Sequence, residues 1–145
     1  MDNHSIENIH LELSFLIRYI NLATPNKKDK EGNLERSEYL LLHQISLHTS
    51  IGVKVLANEL YLNNSTVSRQ AAALEKKGFV TKIADPRDGR SYFYQITELG
   101  TKELLQYKQT RMDIITTLLN EWSEEECQTF EQLLNKFNHS LKEIV

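Results

Sequence analysis

Lys54-Val55-Leu56-Ala57-Asn58-Glu59-Leu60, then Tyr61-Leu62-Asn63, then Asn64-Ser65-Thr66-Val67-Ser68-Arg69 run on without a break, and their spacing decides the fold. Leu56, Ala57 and Leu60 give a short helix one inward face, and Val67, Ala71 and Leu74, at i, i+4 and i+7, do the same for a second helix reaching Lys77. Only three residues separate them. Two short helices closed by so tight a connection, with Leu62 between their apolar faces, predict a helix-turn-helix. Asn63 is placed to cap the second helix, and Gly78 to end it in the left-handed conformation. The outward set is then Asn64, Ser65, Thr66, Ser68 and Arg69, which is small and polar except for one guanidinium. Such a face suits close approach to duplex DNA. Hydroxyls and amides can meet phosphates near the positive helix end, and Arg69 can bind a guanine edge bidentately.

Downstream, Phe79-Val80-Thr81-Lys82-Ile83 and Tyr92-Phe93-Tyr94-Gln95-Ile96 are β-branched and aromatic runs of strand length. Asp85-Pro86-Arg87-Asp88-Gly89-Arg90 between them is rich in turn formers, so a β-hairpin with a long tip is expected directly after the second helix. A tip carrying Arg87 and Arg90 has the chemistry of a wing that tracks the DNA backbone or enters a narrow minor groove. Asp85 and Asp88 are read as stabilising that tip. The plainer alternative is a solvated charged turn in which these acids pair with the two arginines.

Outside this lobe the pattern is helical. Ile6, Ile9, Leu13, Leu16 and Ile20 recur at three and four from Ser5, a candidate N-cap, to about Ala23, and the polar stretch Pro25 to Asn33 reads as a loop. A broadly apolar helix follows from about Arg36 to His48. Thr97 starts a long helix to about Asn120, and Ser123 caps a last one in which Phe130, Leu134, Phe137, Leu141 and Ile144 form a narrow seam. The fold class is therefore mainly α with a small β-hairpin wing. A winged helix-turn-helix lobe is expected over 34–97, and the terminal helices, 5–23 and 98–145, are expected to form a dimerisation region whose seams bury against each other and against a symmetry mate, the alternative being that they close a monomeric helical core.

The 145 residues, 40% hydrophobic and 26% charged, suit one compact chain. The net charge of −3 hides a division: Lys54 to Tyr94 holds seven basic and four acidic residues, and the acids gather in the flanks. No apolar run approaches the ~20 residues of a membrane span and no secretory leader is visible, so a cytoplasmic location is expected. One cysteine, Cys127, cannot form an internal disulfide. No glycine-rich phosphate loop, Gly-x-Ser-x-Gly elbow, Cys-x-x-Cys pair or His-Glu-x-x-His helix occurs, which speaks against an enzyme. His4, His10, His43, His48 and His139 show no metal-ligand spacing, so neither metal nor cofactor is expected.

With these motifs in place, the sequence resembles the MarR (multiple antibiotic resistance regulator) family. The resemblance rests on Leu56-Ala57-Asn58-Glu59-Leu60, Asn63 to Arg69, Leu74-Glu75-Lys76-Lys77-Gly78-Phe79-Val80, and above all Asp85 to Arg90 before Thr97-Glu98-Leu99-Gly100. It extends over essentially the whole chain. It implies a triangular homodimer of two winged-helix lobes, with Arg87 or Arg90 in the minor groove. It also implies repression of nearby genes, often relieved by a small molecule or by oxidation. The family's redox-sensing branch carries a reactive cysteine near the N-terminus, where this chain has none.

For a small-molecule effector, the first two helices offer Phe15, Arg18, Tyr19, Tyr39 and His43 as an aromatic lining with a polar anchor. The competing function is a winged helix that binds another protein instead of DNA. Such a module would expose aromatic or aliphatic anchors where this chain has small polar residues and arginines.

Overall fold

A computed structural model describes residues 2–23 and 34–145. The expected loop from Pro25 to Asn33 lies outside the described residues. The chain divides into two compact units, Met1–Asn33 and Leu34–Val145. In the first, α1 runs from Asn3 to Ala23 and none of its residues is buried. It starts two residues before Ser5, which is therefore not the cap. Asp2 takes that place, its carboxylate accepting the backbone N–H of His4 at 3.1 Å.

The second unit is built in the order α2 (Arg36–Ser46), β1 (Ile51–Gly52), α3 (Val53–Leu60), α4 (Asn64–Lys76), β2 (Val80–Ala84), β3 (Tyr92–Ile96), α5 (Glu98–Leu118) and α6 (Glu124–Lys142). The fold is mainly helical with a small sheet, as expected. The sheet differs in having three antiparallel strands, ordered β1-β3-β2, where a two-stranded hairpin was expected. Ile51 pairs with Tyr94 and Gly52 with Phe93. This third strand is two residues long, too short to show an alternating pattern, and Gly52 also serves as N-cap of α3.

Leu41, Leu42, Ile45, Leu56, Val67, Ala71 and Leu74 are wholly buried and join Phe79, Val80 and Tyr94 in one core. The core thus ties α2, α3 and α4 to the root of the hairpin. Each buried aliphatic side chain contributes about 1.5–3 kcal/mol, so α4 is held by its apolar face and its polar one is left exposed. Glu38 is the buried charged residue among them, only 5% exposed. Its carboxylate receives Lys77 Nζ at 2.8 and 3.0 Å and also accepts the Glu35 backbone N–H at 3.1 Å. The start of α2 and the end of α4 are pinned together by that one side chain.

α4 ends on a complete left-handed cap. Gly78 stands at φ 82°, its N–H reaching Glu75 O at 2.9 Å while Phe79 N–H reaches Leu74 O at 3.0 Å. Thr97 then fastens α5 to this point. Its hydroxyl donates to Gly78 O at 2.7 Å and accepts from Gly100 N–H at 2.9 Å, and its own N–H donates to Phe79 O at 3.0 Å. α5 approaches so closely that only glycine fits at position 100, where a Cβ would stand 2.1 Å from Phe79 O.

Candidate nucleic-acid interface

α4 begins where its sequence dictates. Asn63 has extended backbone angles and its Oδ1 accepts the Thr66 N–H at 2.8 Å. The same oxygen accepts the Ser65 hydroxyl at 2.8 Å. That second bond has a chemical consequence: Ser65 has given away its only side-chain proton, so what it presents outward is lone pairs. In this arrangement it can receive an amino group of cytosine or adenine, and donation to a phosphate requires the hydroxyl to turn away from Asn63. Asn64, Ser65, Ser68 and Arg69 are exposed, whereas Thr66 is half-buried and contributes less to the outward face.

The hairpin pairs in strict register, Val80 with Ile96, Lys82 with Tyr94 and Ala84 with Tyr92. Asp85 N–H closes the ladder onto Ser91 O at 2.9 Å. Beyond it, Asp85 Oδ1 accepts the Arg87 backbone N–H at 2.8 Å and Asp88 Oδ1 that of Arg90 at 3.0 Å. Ser91 donates to the other oxygen of Asp88 at 3.3 Å. The acids thus bond the backbone of the tip, and among the described residues neither arginine side chain makes an ion pair. The plainer alternative, with acids and arginines neutralising each other, is not the arrangement found. Both guanidinium groups are exposed on a turn whose backbone is tied at two points.

Three features escaped the sequence reading. Tyr61, which ends α3, sits in the left-handed region at φ 56°, with 56% of its surface exposed. Tyrosine gives no sequence signal for that conformation. Lys82 lies with its ammonium 3.9 Å from the centroid of the Tyr92 ring. Tyr94, opposite Lys82, is buried, and its hydroxyl is raised above the usual phenol pKa by burial, then by the charge of Glu75 and by Tyr92.

The residues expected around an effector fall into both units. On α1, Phe15 and Tyr19 stack at 5.7 Å, and Arg18 is exposed beside them. On α2, Tyr39 stacks against His43 at 6.2 Å and, more tightly, against Tyr107 of α5 at 4.4 Å, with Arg111 over the Tyr107 ring at 4.8 Å. Tyr39 thus spends one face on α5. Among the described residues, no group of three or more His, Cys, Asp or Glu is placed to hold a metal, and no helix is long and apolar enough to cross a membrane.

Residues 34–92 match the profile of the MarR family. An uncharacterized HTH-type transcriptional regulator, YxaD of Bacillus subtilis (strain 168), is 40% identical over 137 residues, covering 94% of this chain and 95% of its own. Among solved structures, a MarR protein from Peptoclostridium difficile superposes with a TM-score of 0.76 at 25% identity, covering 94% of this chain and 88% of that one. FabT of Streptococcus pneumoniae, solved in complex with DNA, gives a TM-score of 0.69 at 19% identity over 99% and 100% of the two chains. The helix-turn-helix with its tied wing, and a similarity that spans nearly the entire length of a relative, place the chain in the MarR family of winged-helix transcriptional regulators, which are not enzymes.

Proposed function

We propose that the protein binds duplex DNA sequence-specifically as a homodimer on an inverted-repeat operator and represses the genes beside it. The carrying observation is the pairing of an exposed polar N-terminal turn on α4 with a wing whose Arg87 and Arg90 are free of ion pairs among the described residues. Asn64, Ser65, Ser68 and Arg69 read base edges in the major groove, with Thr66 beside them, while Arg87 and Arg90 take the adjacent minor groove. Asp85 and Asp88 keep the tip in shape. A protein-docking role is disfavoured because the α4 reading face exposes no aromatic or aliphatic anchor.

The dimer is supported by what the helices leave uncovered. Phe130, Leu134, Phe137 and Leu141 along α6 are 39–46% exposed, Ile144 just beyond it is 80% exposed, and Ile6, Ile9, Leu16 and Ile20 on α1 are exposed too. Apolar stripes of this length are covered in solution, and a second copy supplies matching ones. For an effector, the stacked pair Tyr39 and His43 on α2 is the contact we assign. The location that follows for such a regulator is the cytoplasm.

Selection from a random duplex pool tests the reading. Enrichment of an inverted repeat with half-sites about one helical turn apart is the expected result. Arg87→Ala and Arg90→Ala should weaken binding and flatten its salt dependence, and Arg69→Ala should chiefly relax base preference. Unchanged affinity in all three would discard the proposed surface.

A further inference from the structure

The geometry points to a DNA contact outside the reading helix and the wing tip: Lys82, held over the Tyr92 ring, grips the phosphates of the strand that separates the groove read by α4 from the groove entered by the wing. This rests on the DNA-binding reading above.

Strand alternation places the lysine. Val80, Lys82 and Ala84 share one face of β2, and their partners Ile96, Tyr94 and Tyr92 share the same face of β3. Val80 and Tyr94 on that face are buried in the core beneath α4, so it is the side of the hairpin turned toward the reading helix. Lys82 is exposed on β2, an edge strand of the sheet, level with the buried Tyr94. At about 3.3 Å per residue it stands about 7 Å past Val80 and about 10 Å short of Asp85, where the tip begins. A duplex that offers its major groove to α4 and its minor groove to Arg87 and Arg90 must lay a phosphate ridge across this interval.

The ammonium is prepared for such a contact. It sits 3.9 Å from the Tyr92 centroid, diagonally across the ladder from the Lys82–Tyr94 pair, so its long side chain is ordered without being neutralised. No carboxylate among the described residues forms an ion pair with it. Glu75, whose charge acts on the Tyr94 hydroxyl, is not within ion-pair distance of Lys82. An acid in place of the ring would have cancelled the charge that a phosphate needs. Tyr92 is therefore a positioning residue, and Lys82 the contact.

Fluorescence anisotropy over a KCl series, with the duplex that the wild-type protein enriches from a random pool, tests this directly. Lys82→Gln should lower the magnitude of the slope of log K against log[KCl] by about 1.8, from one phosphate lost in each of two protomers, and Lys82→Arg should restore it. Tyr92→Leu keeps the lysine, so the slope should hold while affinity falls roughly two- to fivefold; Tyr92→Phe, which retains a ring, should bind as wild type. Melting temperatures near wild type in all four, as expected for exposed positions, show that the comparison is between folded proteins. A slope unchanged by Lys82→Gln, while Arg87→Ala still lowers it, overturns the assignment of Lys82 and leaves DNA reading intact. Unchanged affinity in Tyr92→Leu overturns the positioning role. If the wild-type protein enriches no duplex, the underlying reading fails and takes this proposal with it.

Discussion

Gly100→Ala sets two contributions of opposite sign against each other at the start of α5. Alanine in place of glycine in a helix is worth about 1 kcal/mol in favour of folding from propensity alone. The added Cβ, however, would stand 2.1 Å from Phe79 O and 2.9 Å from Ile96 Cγ1. Ordinary contact begins near 3.4 Å, and the nearer of these atoms is backbone, so the first turn of α5 must retreat by more than 1 Å. That retreat strains or breaks the bonds from Thr97 N–H to Phe79 O and from the Thr97 hydroxyl to Gly78 O. Each is worth about 1 kcal/mol, and overpacking at the contact adds about 1–3 kcal/mol. The net expectation is a loss of about 2–4 kcal/mol, or a melting temperature lower by about 10 °C. Urea unfolding followed by circular dichroism at one fixed protein concentration measures it. A variant as stable as wild type, or more so, would mean that helix propensity wins and that α5 is not clamped to the end of the reading helix.

Three further outcomes follow from single residues. Tyr61→Gly should stabilise the protein by about 0.5 kcal/mol, since relief of the left-handed strain outweighs the added backbone entropy, whereas Tyr61→Val should destabilise it; chemical denaturation of both reads the difference, and equal effects would refute the strain at φ 56°. Glu38→Ala should cost about 2 kcal/mol by thermal melting, less than a fully buried pair because Lys77 is partly exposed and can rehydrate; a loss under 0.5 kcal/mol would show that the pair and the α2 cap are idle. The Tyr94 hydroxyl titrates higher in the folded protein than its ordinary value of 10.0, so its contribution is complete below pH 10 and is lost as pH rises through the folded value. Tyr94→Phe should therefore flatten the decline of stability above pH 10, and an identical decline in wild type and variant would exclude that origin.

Caps and apolar spacing were what the sequence made visible. Asn63, Thr97 and Ser123 cap α4, α5 and α6 through side-chain oxygens, and each was legible because a small polar residue stood directly before a helical pattern. Ser5 failed by the same rule: Asp2, three residues upstream, offered a better acceptor to the first turn. β1 was invisible because two residues have no period. The Lys82–Tyr92 contact and the Glu38–Lys77 pair were hidden for a different reason. Their partners lie 10 and 39 positions apart, and only strand register and helix docking bring them together. The helix that carries Asn64 to Arg69 and the turn that carries Arg87 and Arg90 were legible in outline. What could not be read was the use of protons within it, such as Ser65 spending its own on Asn63.

The bond that Lys77 donates to Glu38 also bears on how this lobe comes apart. Because one carboxylate serves both the first turn of α2 and the last turn of α4, fraying of either end removes an anchor from the other. Local openings that begin at the α2 terminus should therefore reach the end of α4, and hydrogen exchange should show the two segments opening together despite their distance along the chain. A helix whose far end is secured this way should resist fraying from that end.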